Sequence, residues 1–160
     1  MACLEFDSLV GRLSIRADDD VVTEVKFDGS CDEGRREGGS GNGSRALCEQ
    51  ARAEIEEFLA GEREIFTVPF RAAGTDFQQA VWWQMCQIGY GATRTYGELA
   101  AGVGEPGAGQ AVGLACGANP IPLIIPCHRV VAANGLGGFG GGVDRKVWLL
   151  GLEQGQGRLC

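Results

Sequence analysis

Only one histidine occurs in the 160 residues. That scarcity argues against a histidine-rich metal centre, and none of the seven cysteines is spaced Cys-x-x-Cys, so structural zinc has little support. No apolar run reaches the length that crosses a bilayer. The N-terminal stretch Met1-Ala2-Cys3-Leu4-Glu5-Phe6-Asp7 lacks the basic start and apolar centre of a signal peptide. The cysteines therefore read as thiols of a reducing, cytoplasmic compartment rather than as a disulfide framework. Positive charge is also short: 14 bases stand against 21 acids, for a net charge of −7. That balance points away from a polyanionic partner. Its location changes the reading. Residues 1–73 hold sixteen acids and nine bases, whereas residues 74–160 hold five of each. The second half is neutral. Any phosphate binding there would rest on backbone N–H groups, helix N-termini and a few arginines.

What is present suits one domain or two small lobes. Residues 4–16 alternate loosely between apolar and polar, and residues 21–27 do the same. Both read as antiparallel strands, with Asp18-Asp19-Asp20 as the turn between them. Residues 29–44 hold Gly-Gly-Ser-Gly-Asn-Gly-Ser and no apolar face, which predicts a flexible surface loop. A phosphate-cradling role for those glycines lacks the preceding strand and the following Lys-Ser/Thr. Over 45–60, Leu47, Ala51, Ile55 and Phe58/Leu59 recur at helical spacing, with Glu49, Glu54, Glu56 and Glu57 outside and Gly61 as the stop. Residues 65–70 read as a short edge strand stopped by Pro69.

From Gly74 the pattern becomes helical. Thr75 or Asp76 can cap a helix whose face is Phe77, Val81, Met85 and Ile88. Trp82 or Trp83 falls among apolar residues, where packing is the simpler role. Gly89-Tyr90-Gly91 closes that helix. Thr95-Tyr96-Gly97-Glu98 is a Thr-x-x-Glu capping box for the next one. Gly102-Val103-Gly104-Glu105-Pro106-Gly107 matches Gly-x-Gly-x-x-Gly in letters only. It follows a helix and contains proline, so a dinucleotide fingerprint fails on context. A glycine-rich turn leading into a small-residue helix over 108–118 fits better. Helix, turn and helix together have the form of a helix-turn-helix, although such a hairpin alone is more often mere packing.

The most informative stretch is residues 121–131, Ile-Pro-Leu-Ile-Ile-Pro-Cys-His-Arg-Val-Val. Residues 123–125 read as a short buried strand punctuated by Pro122 and Pro126. The strand delivers Cys127 beside His128, the one side chain that titrates near neutral pH. A thiol reacts as the thiolate and needs a base or a positive neighbour. A structural cysteine beside a packed histidine is the bland alternative.

Pro126-Cys127-His128-Arg129-Val130 resembles the active-site signature of the O6-alkylguanine-DNA alkyltransferases, the methylated-DNA–protein-cysteine methyltransferases. Asn119-Pro120-Ile121-Pro122 upstream fits, as do Gly138-Phe139 with Gly140-Gly141-Gly142, Arg145-Lys146, Trp148-Leu149-Leu150 and Glu153 downstream. The resemblance runs from about Gly74 to Glu153. It implies an α/β chain in two domains. Residues 1–73 would be a ribonuclease-H-like α/β lobe, and residues 74–160 a mainly helical, winged-helix-like lobe with a helix-turn-helix. It implies direct reversal of DNA damage, with the alkyl group moving once from O6-methylguanine to Cys127 and no cofactor; some members carry structural zinc in the first lobe, but a matching ligand set is not visible in this sequence. His128 would be the base acting through a water, Glu153 its orienting acid and Asn119 a brace between helix and active-site strand. Tyr96 would donate to the guanine, and Arg129 would make a structural ion pair. Residues 130–142 would wall the base pocket. Arg94, Thr95, Gly109, Gln110 and Ala111 would lie against double-stranded DNA, entered through the minor groove with the guanine flipped out. The partner is alkylated DNA and not a membrane, and the protein would act as a monomer. The chain departs from the family at Gln110, where arginine is frequent, in a loop over 134–138 that is one residue short, and at Gly140, where some members have serine. A binding-only alkyltransferase-like protein is the alternative, but those relatives replace the cysteine. A cysteine hydrolase or redox enzyme would turn over repeatedly and would not need the helix-turn-helix.

Overall fold

The computed structural model describes residues 1–31 and 42–155. The chain divides into two compact units, Met1–Ala73 and Gly74–Cys160.

The first unit is a three-stranded antiparallel meander, β1 (Ala2–Ser8), β2 (Gly11–Ala17) and β3 (Val22–Phe27), packed against helix α1 (Asn42–Leu59). The single strand expected over 4–16 is in fact a hairpin. Ser8 pairs with Gly11, and Leu9-Val10 form the turn between them. Gly11 takes φ +97, which only glycine adopts at little cost. The Ser8 hydroxyl bonds both the Gly11 carbonyl at 2.6 Å and the Val10 N–H at 3.2 Å. The Asp18 turn is as expected: its carboxylate accepts from Asp20 and Val21 N–H, each at 2.8 Å. Leu13, Ile15 and Ala17 bury one face of β2 in a core shared with Ala51, Ile55, Phe58 and Leu59, and Ser14 on the other face is buried as well. Helix α1 ends in a Schellman motif, with Gly61 at φ +78, Gly61 N–H on Phe58 O at 3.1 Å and Glu62 N–H on Glu57 O at 2.8 Å.

Three expectations need correction here. No strand forms over 65–70; only Phe70 bridges Val22. Glu54, expected outside, is 3 % exposed, and its carboxylate takes the Thr67 N–H (2.8 Å), the Thr67 hydroxyl (2.7 Å) and the Val68 N–H (3.1 Å). Those amides are spent on a side chain, and Pro69 has none to give, so no ladder can form. Cys3 and Cys31 are joined in a disulfide, with Cα atoms 5.7 Å apart, against the reading of all seven cysteines as thiols. The chain leaving β3 turns back across the sheet. A Cβ on Gly29 would lie 2.2 Å from the Ser14 hydroxyl, so only glycine lets the crossing sit this close. The crossing delivers Cys31 to β1, where its N–H bonds Glu5. Most of the predicted loop over 29–44 lies outside the described residues, while residues 42–44 already belong to α1.

The second unit comprises α2 (Asp76–Cys86), β4 (Arg94–Thr95), α3 (Tyr96–Gly102), α4 (Gly109–Gly117), a 3-10 turn (Cys127–Arg129), β5 (Val130–Val131) and α5 (Val143–Glu153). Thr75, not Asp76, caps α2, in a reciprocal box with Gln78. Thr95 caps α3 reciprocally with Glu98. Val81, Met85, Leu99, Val112 and Ala115 share the core. Trp82 is buried and donates its indole N–H to the Ala115 carbonyl at 2.8 Å; its neighbour Trp83 is 61 % exposed. β4 and β5 pair in parallel, Arg94 with Val130 and Thr95 with Val131. That pairing ties the start of α3 to the residues just after Cys127. Among the described residues no helix is long and apolar enough to cross a membrane.

Candidate active site

Residues 121–126 form a buried turn, not the expected strand. Ile125 N–H reaches back to Ile121 O at 2.9 Å, and Leu123 stands at φ +74. A left-handed leucine costs about 1–2 kcal/mol. Burial of its side chain, worth roughly 1.5–3 kcal/mol, offsets that. Asn119 braces the turn from both ends, accepting from Ile121 N–H and donating to Ile125 O, each at 2.9 Å. Pro126, at φ −81 and ψ 68, is the centre of an inverse γ-turn closed by Cys127 N–H on Ile125 O at 2.8 Å. The proline ring already fixes one of the two angles this turn needs. Cys127 is thus set by backbone geometry at the head of the 3-10 turn.

The next two residues point into a buried charge cluster. His128 Nε2 lies 2.6 Å from Glu153 Oε2, with both side chains fully enclosed. Arg129 grips the same carboxylate with two N–H groups, at 2.8 and 2.9 Å, and donates a third to Ile88 O at 2.7 Å. Two N–H groups on one carboxylate is the strong form of the pair. Gly91 N–H adds a 3.3 Å bond to Glu153. Burial works to raise the Glu153 carboxyl, but the hydrogen bonds from His128 and Arg129, with the Arg129 charge, outweigh it and hold it at about 2. Burial lowers His128 below its ordinary 6.5, and Glu153 only partly restores it. The histidine is therefore neutral at physiological pH. Because an ionised carboxylate only accepts, Nε2–H donates the hydrogen bond to it, and the basic lone pair falls on Nδ1.

Cys127 lines a cavity of about 160 Å³ with Tyr96, Gly113, Cys116, Gly117, Gly138, Phe139 and Gly140. Burial pushes its thiol up to about 11, against smaller opposing effects of Asn119 and the Lys146 charge. Tyr96, the first residue of α3, is also raised, first by burial, so it stays a neutral donor. A Cβ on Gly137 would lie 2.6 Å from the Tyr96 hydroxyl, and Gly137 takes φ +72, so the loop can only pass here as glycine.

The structure brings Asn119, Tyr96, Cys127, His128 and Glu153 to one site. Arg94 and Thr95 sit beside it on β4. Arg94 makes only a long, exposed pair with Glu98 at 3.9 Å. Gly109, Gln110 and Ala111 begin α4 and do not line the cavity. Two participants were given no role in the sequence reading, Lys146 although it belongs to the matching Arg145-Lys146 pair. Lys146 is fully enclosed and caps the carbonyls of Val130 (2.6 Å), Gly138 (3.0 Å) and Leu136. The available signal was its spacing: Lys146, Leu149, Leu150 and Glu153 share one buried face of α5. Cys116 places a second thiol in the cavity wall, pushed up to about 12 by burial. Nothing in its spacing distinguishes it.

Comparison with known proteins agrees with this geometry. Residues 76–155 match the model of the 6-O-methylguanine DNA methyltransferase, DNA binding domain. The methylated-DNA–protein-cysteine methyltransferase of Mycobacterium leprae is 43% identical over 96% of this chain and 93% of its own. That of Methanosarcina acetivorans is 50% identical over 65% of this chain and 67% of its own. The structure of Mycobacterium tuberculosis OGT in complex with DNA superposes with a TM-score of 0.85 at 39% identity, covering 96% of this chain and 93% of that one. On the cysteine site and these matches together, the chain belongs to the methylated-DNA–protein-cysteine methyltransferase family.

Proposed function

We propose that the protein repairs DNA by direct reversal, taking the alkyl group of O6-methylguanine onto Cys127 once per molecule. Family membership gives the activity. The observation that carries its assignment to this residue is the placement of Cys127 on the cavity wall, one residue before a neutral His128 held by an ionised Glu153. The resting thiol, near 11, is not a thiolate, so the nucleophile has to be made on demand. His128 takes the Cys127 proton through a water, because adjacent residues on a tight turn do not face one another. Sulfur attacks the methyl carbon, the S–C bond forms as the C–O6 bond breaks, and the electron pair leaves on guanine. Tyr96 donates to that leaving group, and Asn119 holds the turn.

The DNA would be double-stranded and entered through the minor groove. α3 and α4 would act as the helix-turn-helix, with Gly109, Gln110 and Ala111 facing the duplex and Arg94 and Thr95 near the flipped nucleotide. The glycines of α4 allow close approach, and Gly138, Phe139 and Gly140 would wall the base. The first unit would be the ribonuclease-H-like lobe. A monomer acting in the cytoplasm completes the proposal. Incubation with excess methylated duplex tests it: transfer must stop at one methyl per chain. Continued turnover would defeat the reading in favour of a hydrolytic or redox cysteine enzyme.

A further inference from the structure

Helix α4 presents three sides. Val112 and Ala115 are buried in the core. Gly113, Cys116 and Gly117 face the cavity. The remaining side, with Gln110, Ala111, Leu114 and Ala118, is exposed and carries no charge. Leu114 is 77 % exposed, the most exposed large apolar residue among those described. A lone surface leucine ordinarily needs no explanation. This one is distinguished by its place. It follows Gln110 by one turn of helix and adjoins Gly113, where an added Cβ would already be 4.0 Å from the Tyr96 ring. Leu114 therefore stands next to the lining of the cavity that holds Cys127, flanked by Gly113 and, one turn on, by Gly117, neither of which carries a side chain.

We propose that Leu114 is an apolar wedge that enters the minor groove beside the target guanine and fills the space opened in the base stack. The inference rests on the DNA alkyl-transfer reading above. Extruding a base exposes the faces of its former neighbours to water, which opposes the extrusion. An apolar side chain in the gap covers those faces and leaves water itself. Glutamine at position 110 brings no cation to stack there, so the apolar residue one turn on is the group left to do it. The small neighbours Gly113, Gly117 and Ala118 let the helix come close enough for a four-carbon side chain to reach.

The test compares single-turnover methyl transfer from a duplex and from a single-stranded oligonucleotide, each carrying one O6-methylguanine, for wild type, Leu114→Ala and Leu114→Met. 2-Aminopurine beside the lesion reports unstacking. The duplex-to-single-strand rate ratio should fall about tenfold in Leu114→Ala and recover to within about threefold in Leu114→Met, which keeps an apolar wedge. The aminopurine signal on binding duplex should fall with the ratio. An unchanged ratio, an equal loss on both substrates, or a methionine variant as slow as alanine would overturn the wedge. So would a concentration-dependent dimer that Leu114→Ala abolishes, since a second copy would then occupy this face. A wild-type protein that methylates Cys127 on neither substrate would instead defeat the functional reading itself.

Discussion

Replacing Glu153 with glutamine keeps the shape of the buried cluster and removes its only negative charge. Arg129, 7 % exposed, would be left without a counter-ion, and stranding one partner of a buried pair costs about 3–5 kcal/mol. The shift of the carboxyl, which reports the same interactions, gives a figure of similar size. The Glu153 carboxyl moves from 4.5 to about 2 on folding, and at about 1.4 kcal/mol per pH unit that is on the order of 3 kcal/mol. The sign follows from the direction. A lowered folded pKa stabilises fully above 4.5, and the contribution is lost as pH falls through the window from 4.5 to about 2. His128, lowered by burial, adds in the same sense: below 6.5 the unfolded chain takes up a proton that the folded site refuses. Urea denaturation read by tryptophan fluorescence is the suitable assay, because Trp82, Trp83 and Trp148 all lie in the second unit. At pH 7, Glu153→Gln should be about 3 kcal/mol less stable than wild type, and the gap should narrow as pH drops below 4.5. Arg129→Met combined with Glu153→Leu should regain at least about 2 kcal/mol of the loss. A gap under about 1 kcal/mol at pH 7, or one that does not change with pH, would refute the reasoning.

Two further outcomes are expected. Gly137→Ala should lose about 1–2 kcal/mol for its left-handed backbone and, by driving a methyl into the Tyr96 hydroxyl, slow transfer further than that loss explains. Gly135→Ala, with nothing within 4 Å of the added carbon, is the control, and transfer at the wild-type rate in Gly137→Ala would remove Tyr96 from the mechanism. Gln110→Arg adds a cation able to stack on bases, worth about 0.5–2 kcal/mol, and should raise the duplex rate more than the single-strand rate at fixed salt. An unchanged or lower ratio would show that Gln110 does not occupy the position of the arginine common in the family.

Much of the second unit was legible in the sequence because its rules are local. The Thr95–Glu98 capping box and the helical spacing of Val81 and Met85 depend on nearest neighbours and recur in the structure, whereas Ile88 is buried just beyond the end of α2. The turn at 121–126 was not legible. β-Branched residues next to proline read as a strand, and only tertiary burial makes a left-handed Leu123 affordable. Glu54 looked like one more acid on a solvated helix face; its role depends on amides thirteen and fourteen residues away. The Cys3–Cys31 bridge depends likewise on a chain crossing that Gly29 permits. At the site, Cys127 and His128 announced themselves by their motif. Lys146 was hidden because a lysine next to Arg145 suggests a surface. Its ammonium is instead satisfied by carbonyls supplied by the loop it holds in place.

The central claim is that Cys127, of seven cysteines, is the alkyl acceptor. Peptide mapping by mass spectrometry after reaction with excess O6-methylguanine duplex addresses it directly. The account predicts one added methyl group, confined to the peptide holding Cys127 and absent from Cys127→Ser, which still binds the duplex. Methyl found on Cys116 or on any other cysteine, or transfer persisting in Cys127→Ser, would contradict it.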